Sequence, residues 1–322
     1  MNNILVTGGA GYIGSHCCKQ LRLEGYNPVV FDNLVHGHIE NVKWGEFYKG
    51  DVGSAADLED CISKFDIKAV IHFAAFAYVG ESVSNPMKYY NNNLRNTLNL
   101  LDCLVRCNIK HIIFSSTCAT YGNPLVVPID EKHPQNPINP YGQTKLMVEK
   151  ILQDYDHAYS LKYICLRYFN AAGADPAGEV GENHDPETHL IPLVLDVAQG
   201  KSENIKVFGC DYDTIDGTCI RDYIHVMDLA TAHTLALSHL LKEGRSASYN
   251  LGTGKGISVL EIIDAAARIT GKEIPRKIEA RRLGDPPVLI ADNKKIYNEL
   301  NWKPANSNIN QIISDAWRWH TL

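Results

Sequence analysis

The stretch ILVTGGAGYIG, residues 4–14, decides the fold. An apolar strand-like run at 4–6 is followed by glycines with the spacing G-x-x-G-x-x-G, and a helical pattern then continues to about Leu23. Gly8 and Gly11 permit a tight turn, and Gly14 allows the helix to pack closely on the strand. Bare backbone N–H groups and the positive end of a helix attract a pyrophosphate. The stretch therefore predicts a dinucleotide site, and we include Tyr12 and Ile13 in it.

An acid at the end of the next apolar run, residues 29–31, supports this interpretation. Asp32 stands where a carboxylate can accept both ribose hydroxyls of adenosine and would repel a 2′-phosphate, so NAD is favoured over NADP. Asn33 follows it, and Asp51 with Val52 comes after the next short run, where an adenine amino group could be bound. We expect these four residues at the adenosine end of the cofactor.

Further apolar runs at 69–73, 111–114 and 163–166 alternate with helical patterns. Continuous apolar strands with helices between them predict an α/β fold, with a doubly wound parallel Rossmann-type sheet covered on both faces. The chain after residue 170 is richer in Gly, Pro, Asp and His. We predict an NAD-binding domain at 1–170, with a return segment near 220–245, and a smaller, discontinuous C-terminal lobe for substrate, mainly within 171–322.

Composition narrows the classes of function. The 322 residues carry a formal net charge of -6, which gives no support to nucleic-acid or anionic-membrane binding. No apolar run approaches the ~20 residues that cross a bilayer, and the N-terminus has no signal-peptide pattern. The nine scattered cysteines fit reduced core thiols in a cytoplasmic protein better than a disulfide framework. Cys103 and Cys107 lie one helical turn apart, but no second Cys or His pair with a zinc-like spacing completes a site. We therefore expect no metal site.

A Tyr-x-x-x-Lys pair provides the chemistry. Asn139 and Pro140 are a plausible cap and first helical residue, which places Tyr141 and Lys145 one turn apart on the same helix face. A tyrosine with an ordinary pKa of about 10 is a poor base at neutral pH. We expect the Lys145 ammonium and a positive nicotinamide ring to lower that pKa. Lys145 can also hold the nicotinamide ribose.

The hydroxyls of Ser115, Ser116 and Thr117 follow the strand-like run at 111–114, at the carboxyl edge of the sheet, where ligands bind. We expect one of these groups to orient the hydroxyl of the substrate. A Tyr-x-x-x-Lys pair alone is also typical of an ordinary amphipathic helix. Its combination with the glycine loop and a strand that ends in Ser and Thr favours catalysis.

With these motifs the chain resembles the extended short-chain dehydrogenase/reductase family, and within it the UDP-glucose (UDP-galactose) 4-epimerases. The resemblance covers nearly the whole chain, and its motifs in the second half are the most specific. Besides the glycine loop, Asp32-Asn33, the stretch 115–122 and the Tyr141/Lys145 pair, the segments that carry it are 79–82, 140–149, 166–170, 217–226, 249–252 and 281–285.

The resemblance implies a role for each matching residue. Tyr141 would be the base, Lys145 would tune it, and Thr117 would bridge to the sugar. The positions implied to line the cofactor are Phe73, Ala74, Ala75, Asn92, Ser115 and Tyr168. The positions implied to bind UDP are Asn170, Leu190, Phe208, Arg221, Arg282 and Asp285, and the two arginines suit a diphosphate because guanidinium groups bind it bidentately. A homodimer through helices near 87–106 and 141–157 is also implied.

Three positions depart from the family pattern. Ala77 replaces a lysine that some members place near the cofactor phosphates, and His189 replaces a common asparagine at the diphosphate. Leu289 aligns with the residue beside the C2 substituent of the sugar, where its intermediate size would admit UDP-GlcNAc and UDP-GalNAc alongside UDP-glucose and UDP-galactose. The alternative is that Leu289 only packs and other wall residues set the selectivity.

Rival functions remain at this stage. A nucleotide-sugar 4,6-dehydratase or decarboxylase would carry an acid after Thr117, where this chain has Cys118, Ala119 and Thr120. Epimerisation of a UDP-pentose is a closer alternative that the pocket residues do not exclude. A redox-sensing binding protein without catalysis would be expected to have lost Tyr141 or Lys145, and a purely structural partner has no support in the sequence.

Overall fold

A parallel sheet with helices on both faces organises the computed structural model, which describes residues 2–282 and 285–322. Leu283 and Gly284 of the motif at 281–285 lie outside the described residues. The strands are β1 Asn3–Thr7, β2 Asn27–Asp32, β3 Glu46–Lys49, β4 Ile67–His72, β5 His111–Thr117, β6 Lys162–Tyr168, β7 Asn170–Ala172, β8 Ile205–Phe208, β9 Ile220–Arg221, β10 Tyr223–His225, β11 Ala247–Leu251, β12 Ile257–Ser258, β13 Arg276–Glu279 and β14 Val288–Leu289.

The helices fill the connections between these strands. They are α1 Tyr12–Leu23, α2 Ala55–Phe65, α3 Val79–Ser84, α4 Pro86–Tyr89, α5 Asn96–Arg106, α6 Pro140–Tyr159, α7 Leu190–Ala198, α8 Val226–Glu243, α9 Val259–Thr270, α10 Lys294–Leu300 and α11 Ile309–His320. Among the described helices, none is both long and apolar enough to cross a membrane.

The central sheet has the strand order β11-β6-β5-β4-β1-β2-β3, and each neighbouring pair is parallel. The order reverses between β1 and β4, which opens a crevice at the carboxyl ends of these two strands. The glycine loop leaves β1 at this crevice. The predicted doubly wound α/β sheet is therefore confirmed, and its topology places the candidate cofactor loop at the switch point.

Burial of the sheet on both faces explains its continuous apolar strands. Along β1, Ile4 and Val6 belong to one apolar cluster, which includes α1 and α8, whereas Leu5 belongs to the opposite cluster, with α2, α5 and α6. All three side chains are fully buried. Successive strand residues point to opposite faces, so a sheet that is covered on both sides favours apolar residues on both faces of each strand.

The return of the chain to the central sheet extends beyond the predicted segment near 220–245. Helix α8 packs beside α1, and β11 then pairs in parallel with β6 as the edge strand of the sheet. The strand β11 is not among the strands predicted from the sequence. A third apolar cluster, built on α7, α9 and α11, forms the core of the C-terminal lobe. The division into two domains stays a prediction.

The helical stretch near 87–106 is not one regular helix. Between α4 and α5, residues 90–95 form a π-helical turn that carries Asn92 and the buried Asn93. The Asn93 side chain accepts a hydrogen bond from the backbone N–H of Phe76 at 2.9 Å and donates one to the carbonyl of Phe76 at 2.8 Å. Such π turns often occur at functional sites, and this one fixes the segment after β4.

Candidate active site

Neighbouring backbone atoms leave no room for side chains at Gly8 and Gly14 of the glycine loop, residues 7–14. Gly8 has a φ of +71°, and a Cβ atom there would lie 2.7 Å from the backbone nitrogen of Ala74. A Cβ on Gly14 would lie 2.2 Å from the carbonyl oxygen of Gly8. The first turn of α1, which begins directly after Gly11, has no acidic residue to repel an anion. The loop thus fits a dinucleotide pyrophosphate.

The structure brings the residues predicted for adenosine together. Asp32 is buried, and its carboxylate accepts hydrogen bonds from the backbone N–H groups of Ala10 at 3.0 Å and Leu34 at 2.8 Å. Burial raises the pKa of Asp32 above its ordinary value, although these hydrogen bonds act in the opposite direction. Asn33 donates a hydrogen bond to Asp51 at 2.8 Å, and Val52, next to Asp51, is largely buried.

The cofactor positions after β4 border the same crevice. The backbone N–H groups of Phe73 and Ala74 both donate to the carbonyl of Thr7, at 2.9 and 3.1 Å, and Ala75 follows. Asn92 donates to the Asn93 side chain at 3.0 Å. The predicted site residues Tyr12 and Ile13 open α1, but the Tyr12 hydroxyl donates to the carbonyl of Gly173 at 2.6 Å.

Helix α6 positions the proposed catalytic pair as the sequence predicts. The Asn139 side chain accepts a hydrogen bond from the backbone N–H of Gly142 at 2.8 Å, and Pro140 occupies the first turn. Tyr141 and Lys145 are both buried on this helix, against the end of β5. The capping signal explains why the two residues lie one turn apart on one face.

The polar groups around Tyr141 come from three elements. Thr117, at the end of β5, is the polar neighbour that lowers the pKa of the Tyr141 phenol, and its hydroxyl accepts a hydrogen bond from the backbone N–H of Ala119 at 3.1 Å. The Ser115 hydroxyl lies 2.8 Å from the phenol oxygen of Tyr168, which ends β6. The Lys145 ammonium donates to the backbone carbonyl of Ser115 at 2.8 Å. The predicted residues Ser115, Thr117, Tyr141, Lys145 and Tyr168 thus form one cluster.

The expected effect of Lys145 on Tyr141 is not what the structure shows. Burial raises the pKa of Tyr141 above its ordinary value, nearby Tyr168 adds to the rise, and only the hydrogen bond with Thr117 counteracts it. The Lys145 ammonium points to a carbonyl and lies 6.0 Å from the centre of the Tyr141 ring. Burial also lowers the pKa of Lys145 to about 7, although Glu149 opposes this shift. Protein groups alone therefore do not favour the phenolate.

A buried ion pair lies behind the cluster, and the sequence analysis did not predict it. Arg167 donates to the carboxylate of Glu149 through Nε at 3.0 and 3.1 Å and through Nη2 at 2.6 Å. Glu149 also accepts a hydrogen bond from the Ser116 hydroxyl, beside Thr117. The signal was present in the sequence, because Glu149 continues the four-residue spacing of Tyr141 and Lys145 on α6.

The residues predicted for UDP form two contacting pairs in the C-terminal lobe. The Arg282 guanidinium lies 4.0 Å from the centre of the Phe208 ring, and Arg221 Nη2 lies 3.7 Å from Asp285 Oδ1. Leu289 in β14 is the parallel partner of Arg221 in β9. The other two positions, Asn170 and Leu190, are the first residues of β7 and α7. An aromatic ring with a stacked guanidinium suits a nucleotide base next to a diphosphate.

Comparisons with known proteins decide the family. Residues 4–252 match the model of the NAD dependent epimerase/dehydratase family. The chain belongs to this family. It is 51% identical over 317 residues to a UDP-glucose 4-epimerase of Halalkalibacterium halodurans, an alignment that covers 98% of this chain and 95% of the relative.

Solved structures of family members agree in fold. A UDP-glucose 4-epimerase from Brucella ovis in complex with NAD has a TM-score of 0.96 and 53% identity and covers 98% of both chains. One from Bifidobacterium longum in complex with NAD+ and UDP has a TM-score of 0.94 and 41% identity, covering 99% of this chain and 98% of that chain. The predictions of the family, the fold class and NAD as cofactor are confirmed.

Two positions that depart from the family pattern can now be located. Ala77 is exposed after β4 and offers no charge to a phosphate. His189 is the N-cap residue of α7 but makes no side-chain capping hydrogen bond, and its Nδ1 atom is 2.8 Å from Glu182 Oε1 and 2.9 Å from Glu187 Oε1. Burial opposes protonation, but the two carboxylates outweigh it and raise the pKa of His189 to about 10. His189 is predicted from the sequence as a diphosphate contact, and its two acidic partners were not predicted.

Proposed function

We propose that this chain interconverts the C4 epimers UDP-glucose and UDP-galactose, with NAD as its resident cofactor. The observation that carries the proposal is the buried Tyr141, beside Thr117, at the carboxyl edge of the sheet that also carries the glycine loop. The UDP-glucose 4-epimerases that the chain resembles over almost their full length support this choice among the activities of the family.

In this proposal Tyr141 exchanges one proton with the 4-hydroxyl of the hexose, and Thr117 orients that hydroxyl. NAD, when bound at the glycine loop, would supply a hydride acceptor for C4 and, in its oxidised form, a positive charge that favours the Tyr141 phenolate. Since burial raises the pKa of Tyr141, we expect the phenol to keep its proton until that positive charge is present, and the phenolate formed then is a strong base toward the 4-hydroxyl. Tyr141 would hold this proton while the sugar is a 4-keto intermediate and return it to the 4-oxygen after C4 is inverted, so the reaction involves no net oxidation.

The C-terminal lobe would hold the UDP end while the hexose turns about its diphosphate. Phe208 would stack beside the uracil, and Arg221 and Arg282 would bind the diphosphate. Asn170, Leu190 and Asp285 would complete this part of the site. Anchoring at a distance from the reacting carbon stabilises the complex in both sugar orientations without fixing the hexose ring.

At the other end of the crevice, the proposed NAD contacts fall into three groups. The glycine loop with Tyr12 and Ile13 would bind the pyrophosphate. Asp32, Asn33, Asp51 and Val52 would bind the adenosine. The residues at the nicotinamide end would be Phe73, Ala74, Ala75, Asn92, Ser115, Lys145 and Tyr168.

One assay panel tests the proposed function. The purified protein is incubated separately with UDP-glucose, UDP-GlcNAc and UDP-xylose, and the C4 epimer is sought by proton NMR. We expect UDP-galactose from UDP-glucose at a rate proportional to enzyme. Formation of a 4-keto-6-deoxy sugar, or no turnover of UDP-glucose by protein that holds NAD, would contradict the proposal.

Acceptance of N-acetylated sugars is the finer part of the proposal. Leu289 is partly buried beside Tyr121 and Phe169, and its side chain is smaller than a tyrosine. We propose that UDP-GlcNAc is epimerised as well, and that Leu289→Tyr lowers its kcat/KM at least about tenfold more than that of UDP-glucose. An equal effect on both sugars, or no turnover of UDP-GlcNAc by the native chain, would end this part of the proposal.

We also propose a cytoplasmic homodimer. Support for the compartment comes from the nine cysteines, all of which carry free thiols. Support for the dimer comes from the packing of α6 against the segment 86–95, which places the two helical regions implied by the family resemblance side by side. Light scattering coupled to size-exclusion chromatography should give about twice the monomer mass of 35.8 kDa; a monomer mass at micromolar concentration would contradict the dimer.

A further inference from the structure

A cluster of two glutamates and two histidines lies between the first turn of α1 and the start of α7. The four side chains are Glu182, His184, Glu187 and His189, and their ligand atoms all lie within 4.8 Å of one another. His184 Nδ1 is 3.1 Å from Glu182 Oε1 and 3.6 Å from Glu187 Oε2. His189 Nδ1 is within 2.9 Å of both carboxylates. All four residues therefore aim one donor atom at a common point.

Hydrogen bonding within this cluster is incomplete. Among the described residues, the buried Nδ1 atom of His184 makes no hydrogen bond, although Glu182 Oε1 lies 3.1 Å and Glu187 Oε2 lies 3.6 Å from it. The Glu182 side chain is only 7% exposed, and a buried carboxylate needs a compensating cation. The aromatic edges of Tyr12 and Tyr78 face the His184 ring at 6.2 and 6.1 Å and offer no charge.

Two kinds of cation could neutralise the two carboxylates. If both histidines were protonated, two imidazolium rings would lie side by side with centroids 5.3 Å apart, and their like charges would repel. One divalent ion with two neutral imidazoles gives the same net charge without that repulsion. It would also use the unpartnered nitrogen of His184 as a ligand.

We propose that Glu182, His184, Glu187 and His189 bind one divalent transition-metal ion, with Zn²⁺ as the best match. Two imidazole nitrogens and two carboxylate oxygens are a set that suits zinc, whereas Mg²⁺ and Ca²⁺ prefer oxygen ligands alone. With four protein ligands the coordination is complete, so the ion has a structural role. It joins the loop beside Tyr12 of the cofactor site to His189, the residue directly before the substrate-lobe helix α7.

Metal content and zinc affinity test this site directly. Untagged protein is stripped with a chelator, returned to ZnCl₂ and measured by competition against a chromophoric zinc indicator. We expect one equivalent to bind, and His184→Gln and Glu187→Gln each to weaken binding by at least about tenfold, since loss of even an outer-shell partner costs 10–100-fold. The matched control is His320→Gln, which removes another histidine–carboxylate pair, His320 Nε2 to Asp196 Oδ1 at 2.8 Å, and should leave zinc binding unchanged.

Cobalt gives a readout that does not depend on the stability of any variant. The native protein loaded with one equivalent of CoCl₂ should show the intense visible bands of tetrahedral Co²⁺, and ZnCl₂ should abolish them. A native protein that binds less than one equivalent of zinc, that gives only the weak spectrum of hydrated cobalt, or whose affinity equals that of the His184→Gln variant would overturn the proposal. Epimerase activity is a separate measurement, so failure of the zinc site leaves the test of the proposed function intact.

Discussion

The ion pair between Glu149 and Arg167 allows a sharp prediction about the support of the active site. Glu149→Gln keeps the size of the side chain but leaves the guanidinium of Arg167 without a counter-charge. Both residues are at least 95% buried, and the carboxylate accepts hydrogen bonds from Arg167, Gln135 and Ser116. Breaking a buried pair from one side costs about 3–5 kcal/mol, and we expect a loss in that range.

Urea unfolding followed by circular dichroism measures this loss. An exposed pair gives the control: Glu59 lies 2.8 Å from Arg106 with both side chains over two-fifths exposed, so Glu59→Gln should cost less than about 1 kcal/mol. The double variant Glu149→Leu/Arg167→Met removes both buried charges and should recover part of the loss. A Glu149→Gln variant within about 1 kcal/mol of the native chain, or a double variant no more stable than the single one, would refute the reasoning.

Three further changes test other parts of the account. Tyr141→Phe should lower kcat by about 10²–10⁴-fold, because a general base is lost, while UDP binding measured by calorimetry stays within about twofold; near-native turnover would exclude Tyr141 as the base. Gly14→Ala should expel most of the NAD that copurifies with the protein, because its Cβ meets the Gly8 carbonyl at 2.2 Å; full occupancy would contradict the tight loop. Burial lowers the pKa of His233 from an ordinary 6.5 to about 4. At a pH between these two pKa values the unfolded chain binds more protons than the folded chain, so the free energy of unfolding falls as the pH falls. Unfolding measured at pH 7 and pH 4 should therefore show the native chain losing about 3 kcal/mol more than His233→Leu, and equal losses would refute the shift.

The sheet could be predicted from the sequence because its strands are buried on both faces. The run 4–6 is apolar throughout and the run 69–73 is interrupted only by His72, and this pattern has few structural alternatives when helices lie between the runs. The start of α6 could also be predicted, because the Asn139 cap and Pro140 define a helix start through local interactions. These two signals were sufficient to place Tyr141, Lys145 and Thr117 near one another, although their roles remain proposals.

The edge strand β11 could not be predicted in the same way, because its buried residues are partly polar. Tyr249 donates a hydrogen bond to Glu299 at 2.7 Å, and Asn250 donates one to the carbonyl of Ile129 at 2.9 Å. These partners lie 50 and 121 residues away along the chain. A strand whose buried polar side chains form hydrogen bonds only with residues far along the chain shows no apolar pattern in its own sequence. Such a strand cannot be recognised from that sequence alone.

The pKa shifts of Tyr141 and Lys145 also could not be predicted from the sequence. The spacing of Tyr141 and Lys145 suggested an ammonium near the phenol, but the direction of the Lys145 side chain depends on the backbone of β5. Burial then determines the direction of both pKa shifts. The grouping of Glu182, His184, Glu187 and His189 depends on the conformation of an irregular loop, which no period in the sequence encodes.

The fate of the hydrogen at C4 tests the central claim most directly. UDP-galactose carrying deuterium at C4 is converted in ordinary water, and the UDP-glucose formed is analysed by mass spectrometry and NMR. If the C4 hydride passes to bound NAD and returns to the same sugar, the product keeps its deuterium at C4. Exchange of that deuterium for solvent hydrogen, or inversion without breaking the C4–H bond, would contradict the account.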